Sequence, residues 1–219
     1  KDAAAVLGSI PLTGAASNIT ITSSDGADSG NVSLTVSGNT SIGGALSITN
    51  AMSAANGVMF GTFGGTTAIT GATTIQALNR AGSTTTATFT GSSTHTALVN
   101  VQALTNGIAT INLNGAVVSM GAGLTFGGGT TTAIANFTPS AAQSVTGAIN
   151  ADSSTAEGIV NVDGGTNLTT FNSVIGTTQN ILQLNVGGGT GAGNAKFSGI
   201  VEAATITIST SHASDAIAD

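Results

Sequence analysis

Apolar and polar residues alternate along most of this chain, in short runs separated by turn-forming residues. A period of two predicts strands with one buried face and one exposed face. The turn signals include Asn106-Gly107 and Asn114-Gly115, and the strands recur about every 10 to 13 residues. The predicted strands comprise residues 19–22, 32–36, 46–48, 87–89, 98–101, 108–113, 117–118, 159–162, 181–186 and 206–208.

Helices are disfavoured by the same sequence. Thr, Ser, Asn and Gly recur at almost every second or third position, and each costs up to about 1 kcal/mol relative to Ala inside a helix. Thr, Val and Ile are β-branched and pack well on a pleated surface. We therefore expect an all-β fold.

An irregular repeat favours one architecture within that class. Phe89, Phe137, Phe171 and Phe197 are each followed by turn-forming residues. This pattern favours a β-solenoid, similar to a parallel β-helix, in which repeated turns stack and bury a narrow core. Small side chains should fill that core, because large aromatic rings would not fit inside it. Since the period is irregular, a β-sandwich with Greek-key connections is the alternative.

The chain is expected to divide into three parts. Residues 1–16 should form an N-terminal arm or a short helix, residues 17–210 a single β-rich domain with irregular repeats, and residues 211–219 a C-terminal tail. An extended arm can add a strand to a neighbouring subunit. The candidate self-association residues in this arm are the apolar side chains Ala3, Val6, Leu7, Ile10 and Leu12.

The composition excludes several classes of partner. Only 5% of the residues are charged, against about a quarter in an ordinary soluble domain. Three basic and nine acidic residues give a net charge of −6. The basic residues Lys1, Arg80 and Lys196 are too few and too scattered to neutralise nucleic-acid phosphates or bind an anionic membrane. We therefore expect no nucleic-acid binding. No apolar run approaches the roughly twenty residues of a membrane-spanning helix, so we also expect no membrane insertion by this segment.

Catalytic groups are sparse, and we expect no enzymatic activity and no cofactor. His95 lies among Ser and Thr residues and should be a solvated side chain in a turn or on an exposed strand face. Ser211, His212 and Asp215 contain the residue types of a catalytic triad, but a triad is defined by spatial geometry and not by proximity in a terminal tail. The glycine-rich segment 187–192 resembles a dinucleotide fingerprint, but it lacks the helix that would bind the pyrophosphate.

Calcium is the one metal ion with candidate ligands. Asp25 and Asp28 flank Gly26 in a Gly/Ser-rich turn and are weak candidates. Calcium usually takes six or more oxygen ligands with several carboxylates, whereas Asp side chains also stabilise turns by themselves. The chain has no Cys, so it holds neither a disulfide nor a thiolate metal site.

Residues 85–210 resemble the repeats of large autotransporter passengers. The resemblance lies in the general residue pattern, not in a diagnostic motif. The segments that carry it are 143–149, 158–165, 171–176, 184–189, 195–199 and 204–208. These segments are most similar to rickettsial-type outer surface antigens, whose passengers form surface layers and adhere to host cells. The resemblance implies a β-solenoid exported to the cell surface. Family passengers are much longer than this chain, which we therefore expect to be a passenger fragment or a compact self-assembling relative.

These observations predict a structural protein located outside the cell, on a bacterial surface. It should be a self-associating subunit or segment of a surface layer or filament, with copies of itself as its partner. Low charge weakens the repulsion that keeps proteins apart, and strand edges without Lys are open to further pairing. The alternative is an adhesin, an autotransporter passenger that contacts host or neighbouring cells.

Overall fold

The computed structural model describes an all-β protein. The residues it describes are 2–14, 16–23, 30–51, 57–78, 82–104, 106–128, 133–153, 155–188, 192–209 and 217–218. Every regular element among them is a strand. The described part of the chain contains no helix long and apolar enough to cross a membrane.

Within the described residues, twenty-four strands form three sheets, here called A, B and C. Sheet A contains β1 (Ala3–Leu7), β4 (Asn31–Val36), β7 (Val58–Phe63), β10 (Thr84–Phe89), β13 (Ile108–Leu113), β16 (Ala133–Phe137), β19 (Glu157–Val162), β21 (Ile181–Val186) and β23 (Ala203–Ile208). Sheet B contains β2 (Ile10–Leu12), β5 (Thr40–Ile42), β8 (Thr67–Ile69), β11 (Ser93–His95), β14 (Val117–Met120), β17 (Gln143–Thr146), β20 (Leu168–Phe171), β22 (Asn194–Phe197) and β24 (Ile217–Ala218). Sheet C contains β3 (Ile19–Thr22), β6 (Leu46–Asn50), β9 (Thr73–Ala77), β12 (Val99–Ala103), β15 (Leu124–Gly127) and β18 (Ile149–Ala151).

The sheets form the walls of a β-solenoid. The chain passes from sheet A to B to C and then starts the next turn, so spatial neighbours within a sheet come from successive turns. Isolated parallel bridges at Ile175 and Val201 extend sheet C beyond β18. All the strand pairs are parallel, for example β10 with both β7 and β13. The predicted solenoid is confirmed, and the sandwich alternative is wrong because a Greek-key sandwich is antiparallel.

The strand register places equivalent side chains in columns along the solenoid axis. In sheet A the inward column contains Val36, Phe63, Phe89 and Leu113 in successive strands, all with no solvent exposure. A one-residue slip of any strand would expose its entire apolar set. The core is therefore a stack of matched apolar columns between the three walls.

The turn length explains why the repeat is irregular in the sequence. Hydrogen-bonded partners in neighbouring turns are 29 residues apart at Asp2 and Asn31, 27 apart at Asn39 and Thr66, and 24 apart at Asn112 and Asn136. The four Phe segments are also not equivalent. Phe89 and Phe137 end strands of sheet A, whereas Phe171 and Phe197 end strands of sheet B.

Aromatic rings occupy the core, contrary to the expectation that only small residues would fit. The rings of Phe63 and Phe89 stack at 5.0 Å with an interplanar angle of 11°. Phe126 is fully buried because Gly158 faces it: a Cβ at Gly158 would lie 2.1 Å from Phe126 Cγ. Gly158 also has a φ of 78°, which favours glycine. Small residues make room for large ones in neighbouring turns, so the core is mixed in size.

The N-terminal segment differs from the predicted arm or short helix. Ala3–Leu7 forms β1, which pairs with β4 from Ala3 to Leu7, and Ile10–Leu12 forms β2 on sheet B. Pairing with β4 outweighs the helix propensity of three consecutive Ala residues, because β4 offers a ladder of backbone hydrogen bonds. Of the predicted C-terminal tail, Ile217–Ala218 pairs with β22 as β24, and the remaining residues lie outside the described ones.

Truncating one buried ring tests this core. We expect Phe89→Ala to lower the free energy of unfolding by about 3–5 kcal/mol, because the ring contacts are lost and a cavity remains. Phe60→Ala is the matched control, since Phe60 points outward from the neighbouring strand and is 43% exposed; its cost should stay below about 1 kcal/mol. Urea denaturation of both variants measures the difference. Equal losses would contradict the inward placement of Phe89.

Candidate functional site

The five predicted self-association residues meet at one end of the solenoid, here called the head. Ala3, Val6 and Leu7 lie on β1, the first strand of sheet A, and Ile10 and Leu12 on β2, the first strand of sheet B. Val6 is 75% exposed, Leu7 42% and Leu12 37%, whereas Ile10 is buried. The structure thus brings these residues together on the first turn and not on a detached arm.

Leu7 is exposed because its column ends there. It pairs with Val36, which has no solvent exposure, so both residues belong to the same inward column. Val36 is covered by Leu7 on one side and Phe63 on the other. Leu7 has a neighbour on one side only, and the head therefore presents a cross-section of the apolar core to solvent.

The opposite end, here called the tail, exposes the same columns. Ile206 and Ile208 on β23 pair with the buried residues Leu184 and Val186. Each of the two isoleucines is nevertheless 52% exposed, and nearby Ile200 is 62% exposed. The sequence predicted a strand at residues 206–208 but did not identify it as an association surface. The sequence does not show that the inward columns that include Ala5 and Leu7 on β1 also include Ile206 and Ile208 on β23.

Both ends of sheet A carry an unpaired strand edge. Within the described residues, β1 pairs only with β4 and β23 only with β21. Neither strand contains a charged residue. An uncharged edge with free backbone N–H and C=O groups is the usual template for pairing with another chain. The two ends therefore combine exposed apolar side chains with unsatisfied strand edges.

A continuous polar column runs along the outer face of sheet A. Its members are Thr or Asn in eight successive strands: Thr35, Thr62, Thr88, Asn112, Asn136, Asn161, Asn185 and Thr207. We call it the Thr/Asn column. Sequence analysis missed it, because its members are 22 to 27 residues apart and only the strand register aligns them.

The amides of the Thr/Asn column form a hydrogen-bonded ladder. Asn136 Nδ2 donates to Asn112 Oδ1 at 2.9 Å, and Asn161 Nδ2 donates to Asn136 Oδ1 at 2.8 Å. Asn185 Nδ2 continues the series to Asn161 Oδ1 at 2.8 Å. Such ladders stabilise in-register stacking of strands. The ladder therefore fixes the register on the outside of the wall as the apolar columns do inside.

The C-terminal part of this ladder forms the floor of a polar groove. The groove has a volume of about 520 Å³. Its lining includes Asn136, Asn161, Asp163, Gln183 and Asn185. Gln183 Nε2 donates to Asn185 Oδ1 at 2.8 Å. A surface rich in amide donors and acceptors can bind a hydroxyl-rich ligand, and it offers no aromatic platform.

His95 was predicted to be a solvated surface residue, and this is wrong. It lies on β11 with its ring inside the core and no solvent exposure. Nδ1 is 2.9 Å from Thr73 Oγ1, and the ring meets the Phe89 ring edge-on at 5.0 Å. Burial lowers the pKa of His95 to about 4. The flanking Ser and Thr residues suggested a turn, but they belong to an alternating strand in which only Thr94 faces outward.

The other candidate groups are not brought together. Asp25, Asp28 and His212 lie outside the described residues, as do Ser211 and Asp215. Among the residues that the structure describes, no three His, Asp or Glu side chains are close enough to one another to hold a metal ion.

The glycine-rich segment 187–192 lies between two strands of the solenoid, β21 and β22. Residues 189–191 within it are outside the described residues.

One carboxyl group has an unusual environment. Glu157, at the start of β19, is only 8% exposed, and Ser153 Oγ donates to its Oε1 at 3.1 Å. Burial, assisted by the nearby Asp152 carboxylate, raises the pKa of Glu157. Two neighbouring carboxylates without further converging groups do not define a site, so we assign this pair no chemistry.

The buried histidine predicts a pH dependence of stability. Between pH 6.5 and pH 4 the unfolded chain binds a proton at His95 that the folded chain does not. Stability should therefore fall as the pH drops through this window, by about 3 kcal/mol in total. His95→Met should remove this loss, because Met does not titrate. Met120 already occupies the same column in the next turn. The free energy of unfolding of both proteins can be measured by urea denaturation from pH 7 to pH 4. An equal dependence of this free energy on pH in the two proteins would contradict the lowered pKa of His95.

Comparison of the chain with protein-family models, with curated proteins and with solved structures finds no match. The function is therefore argued from the composition of the chain and from the outer face of sheet A.

Proposed function

We propose that this chain is a non-enzymatic structural protein of the bacterial cell exterior that associates with copies of itself in a surface layer or filament. The observation that carries the proposal is the weakly charged surface, which combines twelve charged residues in 219 with an uncharged Thr/Asn column along the outer face of sheet A. The location outside the cell rests on the resemblance to surface-antigen passengers.

The weak surface charge favours association. The net charge of −6 comes from nine acidic and three basic residues in 219, so most of the surface carries no charge at all. Natural sheet proteins often protect edges with Lys or Pro. The head strand β1 and the tail strand β23 contain neither residue. Nothing in the composition of these strands opposes edge pairing.

We expect self-association that increases with protein concentration. Sedimentation velocity and negative-stain microscopy should show species larger than the monomer, and Leu7→Asp should weaken association at least tenfold by placing a charge in the interface. Ile108→Asp is the matched control, because Ile108 is 38% exposed but lies in the middle of sheet A. A wild-type protein that stays monomeric at millimolar concentration would contradict the proposal, as would equal effects of the two substitutions.

The second candidate function is adhesion, and the amide-lined groove favours it. Asn161, Asn185 and Gln183 could bind a hydroxyl-rich chain such as a glycan through amide hydrogen bonds. In a glycan array we would expect signals that Asn161→Ala and Asn185→Ala abolish and Thr94→Ala, on the outer face of sheet B, retains. An array without signals, or signals that the groove variants keep, would contradict adhesion through this groove.

A further inference from the structure

We propose that the amide-lined groove on sheet A binds an extended, uncharged glycan chain of the cellulose or chitin class along the solenoid axis, with one sugar ring on each turn. The inference rests on the adhesion candidate and specifies the class of ligand and its orientation. It starts from the Thr/Asn column, which places one amide on each of three successive turns of the groove, at Asn136, Asn161 and Asn185.

The three amides present the same unused groups. A carboxamide has two N–H donors and two acceptor lone pairs on its oxygen. In each of Asn136, Asn161 and Asn185, one N–H donates to the Asn of the preceding turn. Each oxygen accepts one hydrogen bond, which for Asn185 comes from Gln183. Among the described residues, every one of these half-buried amides keeps one N–H and one lone pair outside the ladder. The groove floor therefore repeats one donor and one acceptor per turn.

The spacing of this repeat distinguishes a glycan from a peptide. Neighbouring strands lie about 4.7–4.9 Å apart, so the donor and acceptor recur at that distance along the axis. Groups on one side of an extended peptide recur only every second residue, at about 6.6–6.8 Å, and lose register with the groove after one turn. A pyranose ring in an extended cellulose-like chain is about as long as one strand spacing. Each ring can therefore lie over one turn and present its hydroxyl groups to one amide.

The lining favours an uncharged chain. Among the described residues that line the groove, Asp163 is the only one with a charged side chain. Its negative charge opposes the binding of sulfated or carboxylated polysaccharides. An apolar ligand would leave the amides of the floor without partners, which costs free energy. A hydroxyl group both donates and accepts, so a neutral sugar matches the two groups that each amide offers.

The groove is long enough for several rings. Its lining includes residues from four successive strands of sheet A, from Asn136 on β16 to Thr207 on β23. Its volume of about 520 Å³ lies within the range of about 300–1,000 Å³ of ligand sites. The described lining contains no aromatic ring, so hydrogen bonds hold each sugar and a single ring binds weakly. Linked rings bind together, because the first one holds the next close to its own turn. Affinity should therefore rise with chain length.

Titration calorimetry of the chain with oligosaccharides of increasing length tests this geometry. We expect the affinity for cello-oligosaccharides or chito-oligosaccharides to rise with each added ring, by about tenfold from the disaccharide to the tetrasaccharide. Malto-oligosaccharides of the same lengths are the matched ligands, because their linkage curves the chain away from a straight axis. They should gain little affinity with length. If glycans bind but their affinity does not depend on length, or if malto-oligosaccharides gain equally, the axial arrangement is overturned and adhesion stands. If no glycan binds, adhesion and this inference fail together.

A pair of substitutions in the ladder tests the position of the ligand. Asn161→Leu removes the middle amide of the groove with little change in side-chain volume. Asn112→Leu is the matched control, because Asn112 accepts from Asn136 in the same ladder but does not line the groove. Both variants should lose similar stability in urea denaturation, whereas only Asn161→Leu should weaken binding of the tetrasaccharide, by about tenfold. Equal losses of affinity in the two variants would overturn binding in the groove.

Discussion

The stacking of identical positions in successive turns is the constraint on which this structure depends. Each strand supplies inward side chains that are covered only by the turns before and after it, and parallel pairing aligns them in columns. Phe63 and Phe89 show the result in the stacked rings of adjacent strands. The outer wall obeys the same rule, because the amides of Asn136 and Asn161 bond along the same axis. Stability therefore comes from nearest-neighbour contacts between turns.

This dependence links the fold to the proposed function. Regular stacking makes the outer face of sheet A a continuous polar surface, the Thr/Asn column, which contains no charged residue. A weakly charged surface causes little electrostatic repulsion between copies. The proposed self-association follows from this property of the surface.

Sequence analysis recovered the strands whose inward positions are branched and apolar, such as β3, β13 and β21. It missed strands with small or polar inward positions, such as β8, and also β7 and β15, whose inward residues include Phe63 and Phe126. In β8 the inward residues are Thr67 and Ile69, and Thr67 has no solvent exposure and no hydrogen-bond partner for its hydroxyl among the described residues. Binary patterning cannot recognise a buried Thr. The burial of His95 was missed for the same reason.

The proposed self-association residues were chosen from the sequence because apolar side chains cluster near its start. The structure places them on a first turn, β1 and β2, and not on an arm. The tail surface, the Thr/Asn column and the groove depend on which residues face one another across turns of 22 to 29 residues. Because the turns differ in length, no fixed period in the sequence identifies which residues are partners in neighbouring strands. Only the pairing of strands reveals it.

The central claim is that the chain associates with copies of itself. Sedimentation velocity over a series of protein concentrations measures this association directly. The account predicts species larger than the monomer that increase with concentration. A single monomeric species up to millimolar concentration would contradict it.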